Sequence, residues 1–245
     1  SEFRGYIGTV SDTDSFYDTE GADNTLIGKY RLFMTRTITN VDLTTSLRYS
    51  NLGIYTGKYK RYNMGEKVTF APGTTTGDMN FYVLKNSLST DSTVTLILDR
   101  NIGVSTSYDK CEFLNVLDNA VSLWDKVTPI VSSNQYTIPN CGMISYHGRK
   151  ARVLEPDDIY EMFGARIDKD YFDYNNLFSV LFDDDSLNFL SNQLIGTNGY
   201  WMANMVAGSD EMAWTIQENK IAPEFISNSS IGVRPIIVVS KDKLK

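Results

Sequence analysis

Alternating and continuous hydrophobic patterns in the last fifth of the chain predict three strands. Tyr200–Met205 and Met212–Gln217 alternate in character, which is typical of strands with one dry face and one wet face. The five positions after Arg234 carry no polar side chain, so we expect a strand that is buried on both faces. The intervening loops, rich in Gly, Ser, Asn and Asp, comprise residues 207–211, 218–220 and 223–230. Loops of this kind on a rigid scaffold commonly form a binding surface.

Upstream of this region, short apolar or alternating segments predict further β structure. Three strand candidates are Lys67–Phe70, Phe81–Leu84 and Thr93–Leu98, and we expect them to form an antiparallel meander. Residues 1–64 are rich in Thr, Tyr and Asp, with alternating stretches such as Tyr30–Met34. We therefore predict a β-rich N-terminal segment over residues 1–64.

Helical periodicity is confined to the middle of the chain. Apolar residues between Phe113 and Trp124 are spaced to line one helix face. A second helix is predicted over Glu155–Gly164, because Pro156 suits a first turn and the acidic residues that follow suit the helix dipole. A third helix is predicted over Tyr174–Leu190. Strands, then helices, then strands again indicate an α+β fold.

Composition and charge exclude several classes of function. The formal net charge is -7, which disfavours electrostatic binding to nucleic acid or to an anionic membrane. No stretch approaches the roughly 20 apolar residues of a membrane helix, so we predict no membrane insertion. Hydrophobic residues make up 42% of the chain, which is enough for a substantial core.

The order of several short motifs resembles a known fold group. The motifs are Gly65–Phe70, Thr95–Leu98, Arg152–Ile159, Tyr200-Trp201 and Gly232–Pro235. In this order they resemble the C-terminal domain of unknown function carried by many Gram-positive surface and prepilin-type proteins. That domain is similar to the sulfatase-modifying, formylglycine-generating group, whose fold is a variant of the C-type lectin fold. The resemblance implies a C-type-lectin-like ligand-binding domain over residues 65–245.

The same fold occurs in the variable proteins of diversity-generating retroelements. Those proteins place their diversified residues just before the final strand, which corresponds to Tyr200–Ser230 in this chain. The resemblance therefore also fits a retroelement-diversified recognition protein. Such proteins occur in phages and in cellular genomes.

Candidate catalytic groups are few. The formylglycine-generating enzymes use cysteines close to the C terminus with copper, whereas Cys111 and Cys141 lie outside the final segment. The single histidine, His147, has no orienting partner that the sequence can nominate. The acidic runs Asp157-Asp158 and Asp183–Asp185 fit a helix start and a solvated turn better than a hydrolase pair. We predict no catalytic residue, no cofactor and no enzymatic activity.

Metal sites receive weak support. Glu155-Pro156-Asp157 resembles the tripeptide of sugar-binding, calcium-dependent lectins, but no Trp-Asn-Asp follows a strand, so a helix start is the favoured interpretation. The acidic residues between Asp12 and Asp23 lack the spacing of an EF-hand loop, which leaves a calcium ion in another kind of loop as the alternative there. Two cysteines and one histidine fall short of a zinc site, so we predict no metal. Cys111 and Cys141 either form a disulfide, if the protein is exported, or remain structural thiols.

The predicted binding site lies in the C-terminal strands and loops. Period-two geometry places Asn204, Thr215 and Gln217 on the expected solvent side, whereas Tyr200 and Trp214 fit either side. The complete predicted ligand-binding set is Tyr200, Asn204, Ser209, Asp210, Trp214, Thr215, Gln217, Asn219 and Asn228. Aromatic rings beside amides and hydroxyls suit a protein or glycan ligand.

These observations predict a recognition module at an extracellular, cell or virion surface. Its partner would be a protein or carbohydrate on another cell or particle surface. A first alternative is the globular head of a pilin or other surface structural protein. A second alternative is a divergent enzyme of the formylglycine-generating type.

Overall fold

The computed structural model of the protein describes residues 2–3, 34–37, 59–102, 106–163, 172, 180–181, 185–191 and 198–244. The chain divides into two compact units, Ser1–Lys58 and Tyr59–Lys245, a few residues before the boundary predicted after residue 64. In the first unit, strands β1 (Glu2–Phe3) and β2 (Met34–Thr37) pair in antiparallel orientation. The remainder of the predicted strand at residues 30–34 and the acidic residues 12–23 lie outside the described residues.

The second unit is α+β, with few helices and with antiparallel sheets, as predicted at this coarse level. Its strands are β3 (Lys67–Phe70), β4 (Met79–Val83), β5 (Thr93–Leu98), β6 (Val127–Thr128), β7 (Gln135–Ile138), β8 (Gly142–Ser145), β9 (Val180–Leu181), β10 (Tyr200–Met205), β11 (Met212–Gln217), β12 (Lys220–Phe225) and β13 (Ile236–Ser240). Its α-helices are α1 (Glu112–Ala120) and α2 (Pro156–Phe163). Short 3-10 helices occupy Asp109–Cys111, Asp185–Leu190 and Lys241–Lys243.

The larger sheet contains the C-terminal strand at an interior position. Its strand order is β3-β4-β5-β13-β6, and every neighbouring pair is antiparallel. The predicted meander of β3, β4 and β5 is therefore confirmed. Because β13 has a partner on each side and apolar packing above and below, Ile236, Ile237 and Val239 are fully buried. The predicted strand after Arg234 is confirmed.

The smaller sheet has the order β10-β11-β12-β9 and lies between two hydrophobic clusters. Trp201 and Ala203 belong to one cluster, whereas Tyr200 and Met202 belong to the other. The predicted strands β10 and β11 are confirmed, but the prediction that each strand has one solvent-exposed face is wrong. Both faces are covered, so the alternation along β10 separates two cores.

Two predicted segments have a different structure. β12 forms where a polar loop was predicted, and Pro223 lies within it. In the described part of the chain, β9 pairs only with Lys220 and Ile221, so the strand edge beside Pro223 requires no N–H donor. The helix predicted over Tyr174–Leu190 is wrong in its described part, where Val180–Leu181 is a strand and Asp185–Leu190 is a 3-10 helix.

The helices and the disulfide support the wall of the site described below. The first two predicted helices are confirmed as α1 and α2, and α1 buries Phe113, Leu114 and Leu117. Cys111 and Cys141 form a disulfide with their Cα atoms 5.8 Å apart, which resolves the alternative left open by the sequence. The bridge ties the start of α1 to the turn between β7 and β8. Among the described residues, no helix has the length and apolar character needed to span a bilayer.

Candidate ligand-binding cleft

A bulge in β10 creates the attachment point of the site. Trp201 pairs with Thr215 and Met205 pairs with Ala213, so the residues between Trp201 and Met205 outnumber those opposite them on β11. The backbone N–H of Ala203 is thereby released from the β11 ladder and donates to the Leu154 carbonyl at 2.8 Å. The bulge fixes the segment that enters α2 against β10. Bulges of this kind commonly lie beside functional sites.

The start of α2 is held by a buried charge network. Both terminal nitrogens of the Arg152 guanidinium donate to the Asp158 carboxylate, and Nη2 does so at 2.8 Å. The Arg152 Nε lies 3.2 Å from Glu155 Oε2. The Glu155 backbone N–H donates to Asp158 Oδ2 at 2.9 Å, which satisfies one of the donors left unpaired at a helix start. One guanidinium therefore organises two carboxylates in a buried position.

Strand β7 and the residue before it supply the neutral partners of this network. The Tyr136 hydroxyl donates to Glu155 Oε1 at 2.9 Å. Asn134 Nδ2 lies 3.3 Å from Glu155 Oε1 and donates to Asp157 Oδ2 at 3.0 Å. Burial raises the pKa of the Glu155 carboxyl above its ordinary value, and the Arg152 charge opposes that rise. Burial likewise raises the pKa of the Tyr136 hydroxyl, so this group remains a proton donor at neutral pH.

A cavity of about 450 Å³ opens beside this network. We call it the α2 cleft and define it by six of its lining residues, Asn134, Tyr136, Asp157, Tyr160, Phe172 and Asn204. A second cavity of about 310 Å³ lies against Arg152 and Glu155 and shares Asn134 and Asp157 with the cleft. Asn134 and Asp157 therefore contribute to the walls of both cavities.

Aromatic rings form one side of the α2 cleft. The centroids of Tyr160 and Phe172 are 5.7 Å apart, and those of Phe172 and Trp214 are 5.3 Å apart in an edge-on arrangement. Phe172 thus connects a ring of the cleft to the core behind it. Tilted and edge-on ring pairs of this spacing stabilise one another, which gives the cleft a rigid apolar wall.

Asn204 contributes a polar group to the same cavity. The residue is 9% exposed, and its side-chain Oδ1 has no hydrogen-bond partner among the described residues. Its Nδ2 makes a long contact of 3.5 Å with the Met205 carbonyl. A buried amide oxygen without a partner is costly, so a ligand that donates a hydrogen bond to it would gain more than the average contact.

The structure does not bring the predicted binding residues together. Ser209 and Asp210 lie in the turn between β10 and β11, and Asn228 lies at the same end of the sheet, where Ile226 N–H donates to the Glu211 carbonyl. Gln217 and Asn219 lie at the opposite end, in and beside the turn between β11 and β12. A six-residue strand spans roughly 20 Å, so the two groups do not form one contact patch. Asn204 is the predicted residue that lines the α2 cleft.

Three predicted binding residues are fully buried. The prediction that Thr215 faces solvent is wrong, because this residue is fully buried. Its hydroxyl donates to the Ala222 carbonyl at 2.8 Å. The Tyr200 hydroxyl donates to the Leu190 carbonyl at 2.7 Å, and Trp214 packs in the second cluster. Asn204, also predicted to face solvent, is largely buried because α2 covers that side of β10. The sheet has a core on each side, and this leaves no wet face at these positions.

Sequence reasoning missed most of the cleft. Asn134, Tyr136 and Tyr160 belong to no motif that the sequence singles out, and Asp157 was interpreted only as part of a helix start. The available signal was the tripeptide Glu155-Pro156-Asp157, whose carboxylates do line cavities. Among the described residues, no group of three or more His, Cys, Asp or Glu side chains is placed to hold a metal ion.

Comparisons with known proteins leave the cleft to be interpreted from its own geometry. No protein-family model matches the chain, and neither a curated protein nor a solved structure shows significant similarity to it. The α+β class therefore follows from the helices and antiparallel sheets themselves. The interpretation of the α2 cleft likewise rests on the residues that line it.

Proposed function

We propose that this protein is a non-enzymatic recognition module of an extracellular, cell or virion surface, which binds a protein or glycan ligand in the α2 cleft. One observation carries the proposal. The cleft places the amides of Asn134 and Asn204 and the carboxylate of Asp157 around one cavity that also has aromatic walls. Amides, a carboxylate and rigid rings in one concave site are the usual components of a specific binding pocket.

The C-type-lectin-like assignment of the second unit is part of the same proposal. Two short α-helices and several antiparallel sheets, seen in the described residues, are consistent with such a domain. The interior position of β13 in its sheet agrees with the expectation that Gly232–Pro235 leads into a core strand. The Cys111–Cys141 disulfide fits an oxidising compartment, which supports the proposed location outside the cytosol.

The titratable groups at the cleft support binding over catalysis. Arg152 is held by Asp158 and Glu155, and Glu155 also accepts from Tyr136. Each group has its geometry fixed by the others, so the network supports a preformed wall. His147 is exposed in the turn that follows β8 and does not line the cleft.

The proposal is tested by screening the purified chain against a glycan array and a panel of surface-exposed proteins. Any ligand found is then titrated against Tyr160→Ala and Asn204→Ala, with Asn219→Ala as a control at the far end of the sheet. We expect the two cleft variants to lose at least about tenfold in affinity and the control to bind normally. A ligand that binds all three variants like the unaltered chain would place recognition elsewhere.

A further inference from the structure

We infer that the α2 cleft binds an organic cation, namely an ammonium or guanidinium group such as a lysine or arginine side chain presents. The inference rests on the proposed function and names the ligand chemistry of the same site. Three observations support the inference: the hydrogen-bonding atoms that are available in the cleft, the local charge and the aromatic rings. Each of these favours a group that only donates hydrogen bonds and carries positive charge.

The orientation of Asn134 is fixed by its neighbours. Its Nδ2 faces the carboxylates of Glu155 and Asp157, and only the NH₂ end of an amide can donate to two carboxylates. The Asn134 carbonyl oxygen is therefore the end that remains for a ligand. Tyr136 is similarly committed, because its hydroxyl proton is donated to Glu155.

The other available atoms at the cleft are also acceptors. Asn134 donates to Oδ2 of the exposed Asp157 carboxylate, and among the described residues no hydrogen bond to its second oxygen is seen. Asn204 Oδ1 has no partner among the described residues, and the residue is more than nine-tenths buried. Three oxygen acceptors, from the segment before β7, from α2 and from β10, thus border one cavity. A ligand group with several N–H donors and no acceptor matches this set.

Among the described residues, carboxylates outnumber cations around the start of α2. Glu155, Asp157 and Asp158 supply three carboxylates, whereas Arg152 is the cation bonded among them and Lys85, which lines the second cavity, pairs with Glu161. A positive ligand beside Asp157 would offset this excess, and charge-assisted hydrogen bonds are the stronger kind.

The rings distinguish an organic cation from a metal ion. Tyr136, Tyr160 and Phe172 line the cavity, and aromatic faces attract ammonium and guanidinium groups that lie within about 6 Å. Hard metal ions require more oxygen ligands at short range, and the described residues contain no group of three or more acidic, His or Cys side chains arranged for this. The combination of rings and oxygen acceptors therefore favours the organic cation.

The test uses the complete chain and small ligands that differ only in charge. The Nα-acetyl methylamides of lysine and arginine, whose side chains keep their positive charge, are titrated by calorimetry. The Nα-acetyl methylamide of norleucine is the uncharged match. Butylamine tests whether a free amine suffices or whether a peptide backbone is also needed. We expect both cationic amino acid derivatives to bind at least about tenfold more tightly than the norleucine derivative. The difference should shrink at high salt, because Asp157 is exposed.

A matched pair of variants locates the effect. Asp157→Asn should weaken binding of the lysine derivative by about tenfold or more, the scale of a hydrogen bond to a charged group. Asp210→Asn removes the same charge from an exposed turn outside the cleft and should leave binding unchanged. Both positions are exposed, so both variants should fold, and thermal unfolding of each provides the check.

Four outcomes would overturn the inference. Equal binding of the norleucine derivative would show that the ligand group is uncharged, and equal losses in the two variants would show that the cation binds elsewhere. Calcium chloride that displaces the lysine derivative at lower concentration would identify a metal site. If no cationic compound binds, the ligand chemistry is wrong. The array and protein screen of the unaltered chain decides the proposed function separately.

Discussion

The sequence predicts a binding surface on strands β10 and β11, whereas the candidate site lies at the start of α2. The strands carry aromatic and polar side chains that indicate a binding face, yet Tyr200, Trp214 and Thr215 are fully buried. The start of α2 reads as an ordinary helix cap, yet it borders two polar cavities. Alternation along a strand reports two environments, and it does not tell a wet face from a second core.

The largest effect should come from the strand that was predicted to bind. Trp214→Ala should lower the free energy of unfolding by about 4–5 kcal/mol, because it removes a fully buried ring that packs on Phe172. Chemical denaturation measures the loss. Asn219→Ala, in the exposed turn after the same strand, should change stability by less than about 0.5 kcal/mol. A small loss of stability for Trp214→Ala would indicate that β11 is exposed, and the contrast between the two regions would no longer hold.

A somewhat smaller loss should follow from disrupting the network at α2. Arg152→Met should cost about 3–4 kcal/mol, because it leaves the buried carboxylates of Asp158 and Glu155 without their cation. Denaturation at neutral pH measures this. Arg149→Met is the matched control, since Arg149 pairs with Asp118 and neither side chain of this pair is buried. If both substitutions cost the same small amount, the network is not what holds the cleft wall.

The smallest effect concerns the pKa of Glu155. Burial raises this pKa, so the stabilising contribution of Glu155 is fully present below the pKa of the unfolded chain, about 4.3, and is lost as pH rises through the folded value. Carbon-detected NMR titration of the Glu155 carboxyl should show a midpoint above that of the same residue in a peptide spanning residues 152–158. A midpoint at or below the peptide value would mean that Arg152 outweighs burial.

The hydrophobic pattern was sufficient to predict those strands whose own residues indicate them. The apolar run at Ile236–Val239 and the meander of β3, β4 and β5 could be predicted because each strand carries its own signal. β12 could not, because Pro223 suggests a loop unless it is known that β9, in the described residues, pairs only with Lys220 and Ile221. That information lies in β9, a separate part of the chain.

The cleft could not be predicted because its parts are distant in sequence. Asn134 and Tyr136, in and just before a preceding hairpin, bond to the carboxylates of Asp157 and Glu155. Asn204 lies in the bulged part of β10. None of these positions has a local pattern that marks it as a neighbour of the others. Asn204 was nominated for an expected solvent face, and its place in the cleft instead comes from the contact between β10 and α2.

The most direct test of the contrast is an NMR titration of the complete chain with the Nα-acetyl methylamide of lysine, read from backbone amide shifts. If recognition occurs in the α2 cleft, the amides of Tyr136, Asp157 and Asn204 should shift with one saturating curve. The amides of Ser209 and Asn219, in the two turns of the smaller sheet, should not move. Shifts confined to those turns, with the cleft amides unchanged, would contradict the central claim.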